Sequence, residues 1–224
     1  MAQSMNLKPF YLLLGVVAVA GGAWIWSARS GAAFEPVEVG PLSDSSLAAS
    51  GWVIGSQSAP VEIVEYADFE CGACGHWAIL NAPDVKERLV ATGRVRLRFR
   101  DFPLPGHPHS PLAHQAAACA GEQGGFWQMA DQIFFNQSRW VGERNPAGMF
   151  EDYAEALGID VGQYRSCMDE QRGAANIEAG RQAGLATGVS STPSFVIGGK
   201  LFLGAQPYDS ILKYVELAEA RAAQ

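Results

Sequence analysis

The apolar residues of this chain form short β-branched runs near both ends of a folded region and helix-spaced runs between them. Val61–Tyr66 is apolar and β-branched enough to predict a buried strand. Val95–Arg100 alternates apolar residues with arginine, which predicts a strand with one face on a core and an arginine face that is solvated or covered by acidic side chains. Ser194–Ile197 and Leu201–Leu203 predict a hairpin, and Trp52–Ile54 predicts a short first strand.

Helical spacing dominates the rest of the folded region. Residues 71–91 predict a helix that Pro83 kinks or splits, and a last amphipathic helix is predicted from about Tyr208 to Ala220. The long stretch between the predicted strands Val95–Arg100 and Ser194–Ile197 has no strand pattern. The order of elements is therefore β-α-β, a helical insert, and β-β-α. The helices expected in the insert are Leu112–Gly121, Phe126–Asn136, Met149–Leu157, Gln163–Asp169 and Ala174–Thr187.

The N-terminal segment follows another pattern. Phe10 to Trp26 is 17 residues without a charge, and Lys8 precedes it. This predicts an uncleaved membrane anchor, which we favour, or a cleaved signal peptide. Residues 27–50 lack periodicity and predict a linker, with a candidate short strand at Glu35–Val39. We therefore expect a signal or anchor at residues 1–26, a linker at 27–50, and a folded domain at 51–224 with its insert at about 105–190, placed on the periplasmic or other extracytoplasmic side of the cell envelope.

Composition narrows the classes of function. The 224 residues are 48% hydrophobic and 17% charged, which suits a packed domain, and the net charge of -7 comes without a basic stripe, so nucleic acid is not an expected partner. Cys71 and Cys74 are close together, whereas Cys119 and Cys167 are far apart. An even count in a chain that enters an oxidising compartment suggests disulfide pairing, and the spacing of the last two does not favour a zinc site.

Cys71 and Cys74 form a C-x-x-C motif at the junction of the strand that contains Tyr66 and the helix that follows. Two thiols at this spacing can pass between a dithiol and a small disulfide ring. Cys71 is expected to face the unsatisfied N–H groups and the positive end of the helix dipole, which favour the thiolate. Since the thiolate is the nucleophile, the motif predicts a redox-active dithiol.

The residues around this motif resemble the DsbA-like thiol:disulfide oxidoreductases of the thioredoxin superfamily. Tyr66–Cys74 is similar to the active-site signature of that family, and Asp101–Leu104 to the segment that closes its next strand. Cys119–Trp127 resembles its helical insert, and Gly188–Phe195 the loop that bears its cis-proline. The resemblance covers about residues 51–220. It implies an α/β thioredoxin-like fold with a helical insertion, here preceded by an N-terminal signal or anchor helix.

The resemblance also implies roles for single residues. Cys71 matches the nucleophile that forms a mixed disulfide with the substrate, and Cys74 matches its partner thiol. Pro193 matches the cis-proline that lies against the dithiol, with Thr192 before it in a supporting position. Glu65 matches the buried acid near the dithiol, and the alternative is an ordinary polar position on a half-exposed strand.

A second disulfide is implied in the same way. The cysteine-bearing insert resembles that of family members with a second bridge, so Cys119 and Cys167 are expected to form a structural disulfide. The alternative is a pair of free buried cysteines that act as small hydrophobic residues.

The motif departs from the family pattern in the dipeptide between its cysteines, which is Gly-Ala. The strongly oxidising members carry a histidine there, whose charge and hydrogen bonds help to stabilise the thiolate. His76 lies beyond the motif and would point about 140° away from Cys71 on a helix. Glu70 would oppose thiolate formation. We therefore expect a depressed pKa for Cys71, between about 3.5 and 7.

The function implied is an exported oxidoreductase that introduces disulfide bonds into reduced client proteins. A membrane or soluble redox partner would reoxidise it, and no cofactor beyond the cysteines is implied. One alternative is a disulfide isomerase or reductase of the same fold, although isomerases that resemble this family usually carry a dimerisation domain for which residues 27–50 are too short. Another is a non-catalytic module that holds Cu(I) or zinc on the C-x-x-C thiols. The neighbouring His107, His109 and His114 invite a metal interpretation, but no further ligand is apparent, and we expect no metal.

Overall fold

The computed structural model describes residues 11, 13–22 and 36–223. The chain divides into two compact units, Met1–Glu35 and Pro36–Gln224. In the first unit, residues 11 and 13–22 are helical. Over the described ranges, no helix has the length and apolar character that crossing a bilayer demands. The remainder of the predicted anchor segment lies outside the described residues.

A six-stranded sheet organises the second unit. Its strands are β1 (Val37–Glu38), β2 (Trp52–Ile54), β3 (Val61–Ala67), β4 (Val95–Asp101), β5 (Ser194–Ile197) and β6 (Lys200–Leu203). They lie in the order β1-β6-β5-β3-β4-β2. The central pair, β3 and β4, is parallel, and the other neighbours are antiparallel. The α/β fold and the strands predicted from hydrophobic periodicity are thus confirmed.

Helices connect and cover these strands. The predicted helix over residues 71–91 is divided after Leu80, because Pro83 cannot donate to a continuous helix but fits the first turn of a new one. A π-helical turn at Lys86–Val90 completes the crossover to β4. The helices of the second unit are α1 (Ser45–Ala49), α2 (Gly72–Leu80), α3 (Ala82–Val85), α4 (Ser110–Gly121), α5 (Phe126–Phe135), α6 (Gln137–Trp140), α7 (Ala147–Ala156), α8 (Val161–Glu170), α9 (Ala174–Thr187) and α10 (Tyr208–Ala222).

The structure differs from the predicted linker over residues 36–49, which belong to the second compact unit. Val37 pairs with Leu201 at the edge of the sheet. Asp44 caps α1 by accepting a hydrogen bond from the backbone N–H of Ser46 at 2.8 Å. Leu47 packs on the small apolar cluster at this edge of the domain. The strand agrees with the candidate at Glu35–Val39, whereas the weak local pattern did not predict α1 or the long-range contacts of either element.

The arginine face of β4 has two different environments. Arg96 and Arg98 pair with Glu62 on β3, as expected for a face covered by acidic side chains. Arg100 is instead buried, with 5% of its surface exposed. It donates to the hydroxyl of Tyr66 and to the carbonyl oxygen of Ala48, both at 2.8 Å, so it satisfies a carbonyl near the C-terminal end of α1. The expectation of a face that is solvated or covered by acidic side chains is therefore wrong at Arg100, whose partners are a tyrosine hydroxyl and backbone carbonyls.

Apolar side chains fill both faces of the sheet. On one face, Phe69 packs against Phe99 and Phe134, with ring centroids 5.2 Å and 4.7 Å away, and joins the sheet to the helical insert. On the other, Trp77 of α2 packs on Phe195 and donates from Nε1 to the carbonyl oxygen of Gln206 at 2.8 Å. The turn between β3 and α2 is held between these two cores.

Candidate active site

The turn from β3 into α2 positions the first cysteine of the motif. The backbone N–H of Cys71 donates to the carbonyl oxygen of Asp68 at 3.1 Å, and the Asp68 carboxylate accepts from the backbone N–H of Glu70 at 2.8 Å. From the helical insert, Gln137 Nε2 donates to the carbonyl oxygens of Phe69 and Cys71 at 2.7 and 2.9 Å. The turn is therefore fixed from both sides, and Cys71 occupies the N-cap of α2 as predicted.

Cys71 is half-buried, and its environment favours the thiolate. A hydrogen bond from the Cys74 thiol is the largest influence, and the backbone N–H groups of Cys74 and Ala73 add to it. Together they lower the pKa of Cys71 to about 5, against the opposing effect of burial. When protonated, Cys71 Sγ donates to the carbonyl oxygen of Thr192 at 3.4 Å. At neutral pH the thiolate is the predominant form.

Cys74 has the opposite environment. It lies fully buried one helical turn after Cys71. Burial, followed by the hydrogen bond and charge of Cys71, raises the pKa of Cys74 well above its ordinary value. The two thiols of the motif thus differ in both access and acidity: Cys71 is the more accessible and the more acidic, and the buried Cys74 holds its proton.

The loop before β5 lies against Cys71. The Thr192–Pro193 peptide bond is cis, at the position where the resemblance implied a cis-proline. Ser194 Oγ donates to the carbonyl oxygen of Ser191 at 2.6 Å and fixes the bend. Because β5 pairs with β3, the sheet carries Thr192 to the dithiol, and the Thr192 carbonyl oxygen faces the Cys71 sulfur.

Glu65 lies on β3 with 3% of its surface exposed. Burial raises the pKa of Glu65 to about 8; Lys86 lowers it and Asp131 raises it. Lys86 Nζ lies 2.6 Å from an oxygen of Asp131, and all three residues line a small cavity with Trp77 of α2. The interpretation of Glu65 as an ordinary position on a half-exposed strand is therefore wrong.

A group of carboxylates and imidazoles lies beside the active-site turn, and the sequence pattern did not predict that these side chains meet. The fully buried Asp68 accepts from the backbone N–H of Leu104 at 2.8 Å, and its Oδ2 lies 2.7 Å from His107 Nδ1. The buried His114 lies 2.6 Å from Asp101 through its Nδ1. A signal was present, because Asp68 follows a buried strand directly and precedes the motif by three residues, but its partners come from another loop and helix.

No metal site emerges from these histidines in the described part of the chain. His107 and His114 each face a carboxylate, and the described residues contain no group of three or more His, Cys, Asp or Glu side chains arranged to hold a metal ion. His109 contributes its backbone N–H, which donates to Glu70 Oε2 at 2.8 Å. The histidine-rich loop is thus tied to the active-site turn by hydrogen bonds.

The second pair of cysteines lies inside the helical insert. Cys119 of α4 and Cys167 of α8 are joined by a disulfide, with Cα atoms 5.6 Å apart. Both side chains are buried in the apolar cluster that the insert shares with the sheet. Cys71 and Cys74 are free thiols, so the structure separates the four cysteines into a dithiol and a bridge.

Comparisons with known proteins agree with this arrangement. The sequence profile of a family described as Thioredoxin matches residues 48–217. A Na(+)/H(+) antiporter, NhaA 3 of Salinispora tropica, is 37% identical over 171 residues, which are 76% of this chain but 25% of the antiporter. The chain thus spans about a quarter of the length of these antiporter relatives.

Two further relatives are similar over most of their length. Probable disulfide bond formation protein D of Bacillus anthracis is 28% identical over 174 residues, 73% of this chain and 76% of that protein. The crystal structure of oxidised BdbD from Bacillus subtilis superposes with a TM-score of 0.72 at 22% identity, covering 84% of this chain and all of that one, and so shows the same fold. With the C-x-x-C turn and the cis-proline loop side by side on this fold, and the Thioredoxin profile matching residues 48–217, the chain belongs to the thioredoxin family.

Proposed function

We propose that this chain is an exported oxidase of protein thiols, which introduces disulfide bonds into reduced client proteins. The observation that carries the proposal is the difference between the two active-site thiols. Cys71 is accessible with a pKa of about 5, whereas Cys74 is buried with a pKa well above its ordinary value. A stabilised Cys71 thiolate favours the reduced form of the enzyme, which makes its disulfide form an electron acceptor.

The first step starts from the Cys71–Cys74 disulfide. A client thiolate attacks Cys71 Sγ, because that sulfur is the accessible one. The bond between Cys71 and Cys74 breaks as the mixed disulfide between client and Cys71 forms. Cys74 leaves as a thiolate and takes up a proton, since its buried position disfavours the charge.

The second step releases the oxidised client. A second client thiolate attacks the client sulfur of the mixed disulfide, and Cys71 leaves as a thiolate. Its low pKa makes it a good leaving group. Two electrons have passed from the client to the enzyme, which now holds one thiol and one thiolate, and one proton of the client dithiol has gone to solvent. A redox partner that accepts two electrons then restores the disulfide.

The cis-proline loop is the proposed docking edge for the client. Thr192 presents its carbonyl oxygen toward Cys71, at the end of β5. An extended client segment that pairs with this backbone would bring its own cysteine to the Cys71 sulfur, with main-chain hydrogen bonds giving affinity for many sequences. Pro193 and Thr192 are therefore proposed as client-binding residues. For Glu65, we propose a supporting role as a carboxyl group that changes charge near pH 8 beneath the active-site helix.

We also propose that the domain acts outside the cytoplasm. The uncharged run at Phe10 to Trp26, following Lys8, supports export and anchoring by the N-terminal segment. The bridge between Cys119 and Cys167 supports an oxidising compartment, since such bridges are rare in the cytosol. Alkaline extraction of membranes, with a version that lacks residues 1–26 as the control, tests the anchor.

The deciding experiment measures the reduction potential of the Cys71–Cys74 pair in glutathione buffers. Oxidase function predicts a potential above about -180 mV, and a value near -270 mV would identify a reductant instead. The same protein, once oxidised, should transfer one disulfide per molecule to a reduced, unfolded client protein, and Cys71→Ser should transfer none. Acid trapping of thiols in living cells should find the pair mostly oxidised. A mostly reduced pool would favour the isomerase or reductase alternative.

A further inference from the structure

The acidic surroundings of Cys71 pose an electrostatic problem for a thiolate. Asp68 and Glu70 lie three residues and one residue before Cys71, and the dipeptide Gly72-Ala73 between the cysteines carries no charge. The Asp68 side chain is fully buried, so its charge is little screened by solvent. A carboxylate in this place disfavours a second negative charge nearby.

An imidazole from the loop after β4 faces this acidic turn. His107 Nδ1 lies 2.7 Å from Asp68 Oδ2, and 31% of the His107 side chain is exposed. The same Asp68 oxygen accepts from the backbone N–H of Leu104 at 2.8 Å. The backbone of the loop and the imidazole are therefore both bonded to this carboxylate. His109 adds a bond from its backbone N–H to Glu70. His107 is therefore fixed in place and is not a freely moving surface side chain.

The charge of His107 also interacts with the active-site sulfur. Partial burial lowers the pKa of His107, but the hydrogen bond and charge of Asp68, the charge of Glu70 and the charge of Cys71 raise it above its ordinary value. These three groups all lie on the turn between β3 and α2. Such coupling is reciprocal. If the Cys71 thiolate raises the pKa of His107, then a protonated His107 lowers the pKa of Cys71 by the same free energy.

We propose that His107 is a positioning residue for the redox reaction, held by Asp68, whose imidazolium neutralises the acidic turn and stabilises the Cys71 thiolate. The inference deepens the proposed function, because a stabilised thiolate makes the disulfide form a stronger oxidant. It assigns the cation at this dithiol to a loop distant in sequence, since His107 follows Cys71 by 36 positions.

The first test replaces the imidazole without removing its hydrogen bond. His107→Gln retains a donor to Asp68 but loses the charge, and the rate of alkylation against pH then reports the Cys71 pKa. We expect the pKa of Cys71 to rise by about half a unit or more, which corresponds to a roughly threefold loss of thiolate stabilisation. At about 30 mV per tenfold change, the reduction potential should become about 15 mV more negative. His107→Lys, which retains a cation, should restore part of both values.

His76→Gln is the matched control, because His76 is exposed on the active-site helix itself. It should leave the Cys71 pKa and the potential unchanged. If His107→Gln is folded and gives the same pKa and potential as the wild type, the inference is wrong. An equal effect of His76→Gln would also overturn it, because any histidine charge on this face would then suffice.

A second measurement needs no variant that alters the loop. NMR titration of the His107 imidazole in the full chain should give a higher pKa in the reduced protein than in the oxidised one, because the disulfide carries no charge. Reduced Cys71→Ser should resemble the oxidised protein. Equal His107 pKa values in all three would overturn the inference even if His107→Gln fails to fold. These readouts do not involve a client, so they stand or fall separately from the proposed oxidase activity.

Discussion

The two pairs of cysteines in this molecule show how the same side chain is put to opposite uses. Cys71 and Cys74 lie at the start of one helix, where hydrogen bonds and N–H groups hold one sulfur as a thiolate near the surface. Cys119 and Cys167 lie 48 residues apart in sequence, on two helices packed around an apolar core. The first environment favours electron exchange, and the second excludes solvent and nucleophiles. Local environment, rather than the presence of a disulfide, therefore separates the reactive from the structural pair.

The comparison extends to the surroundings of each pair. Beside the active site, Glu65 and Asp68 are buried acids, and burial of such groups costs stability. The bridge belongs to an apolar cluster in which Ala and Phe are the most frequent side chains and stabilise the fold by packing. The active-site half thus contains polar groups whose burial lowers the stability of the fold. The helical insert supplies a cross-link and apolar contacts, which raise it.

The largest effect is expected from removal of a single sulfur from the C-x-x-C pair. Cys71→Ser should lower client oxidation by more than about 1,000-fold, since the attacked sulfur is lost. When reduced Cys74→Ser meets an oxidised client, its Cys71 thiolate should attack the client disulfide. The mixed disulfide should then accumulate, because the resolving thiol is missing. Gel analysis of acid-trapped reactions distinguishes the two. Retention of activity in Cys71→Ser would mean that the reactive sulfur has been assigned to the wrong residue.

Removal of the bridge should change stability and leave reactivity alone. The double variant Cys119→Ala, Cys167→Ala should lower the free energy of unfolding by about 2–4 kcal/mol, because the unfolded chain regains the freedom of a 48-residue loop. Denaturant unfolding under non-reducing conditions measures this, with Cys71→Ser as the reference for loss of a reactive cysteine. The Cys71 pKa should stay near 5 in the double variant. An unchanged unfolding midpoint would count against a structural role for the bridge.

The buried acid on the reactive side should make stability depend on pH. The pKa of Glu65 is about 8 in the folded protein, above its ordinary 4.5, so between these values the folded protein retains a proton that the unfolded chain has lost. Stability must therefore fall as pH rises from about 4.5 to about 8. Glu65→Gln should remove a fall of a few kcal/mol over this window, measured by denaturant unfolding at several pH values.

Glu62→Gln is the control for that series, because Glu62 lies on the same strand but pairs with Arg96 and Arg98 at the partly solvated face. It should keep the fall in stability between pH 4.5 and 8. A Glu65→Gln profile parallel to that of the wild type would show that another group is responsible.

The smallest effect is expected where the two halves meet. Gln137 of α6 donates to the carbonyl oxygens of Phe69 and Cys71, so it ties the helical insert to the active-site turn. Gln137→Leu should cost about 1–2 kcal/mol by removing these two hydrogen bonds, although the Cys71 carbonyl oxygen still accepts from the backbone N–H of Gly75. It should also speed hydrogen exchange at residues 69–75. Gln182→Leu, on an exposed position of α9, is the control and should change neither.

Sequence alone determined most of the strands and helices and the position of the C-x-x-C pair at the start of a helix. Hydrophobic periodicity predicts the strands and, at Ala174–Thr187, a helix with the same bounds that the structure has. The C-x-x-C at the start of a helix predicts a pKa for Cys71 between about 3.5 and 7. The value of about 5 in the structure lies within that range. These properties depend on residues close together in the chain, so a local pattern is enough to predict them.

The tertiary structure decided which distant residues surround that pair. The sequence offered a candidate strand at Glu35–Val39, but its pairing with β6 and the contact of α1 with Arg100 involve distant parts of the chain, and no local pattern contains that information. Asp68 and His107 meet because the parallel pairing of β3 and β4 brings the two segments that follow these strands to the same edge of the sheet. Hydrogen bonds and charges act over a few ångströms of space, whatever the separation in sequence. The chemistry of the dithiol is therefore local in origin, whereas its electrostatic tuning is a property of the fold.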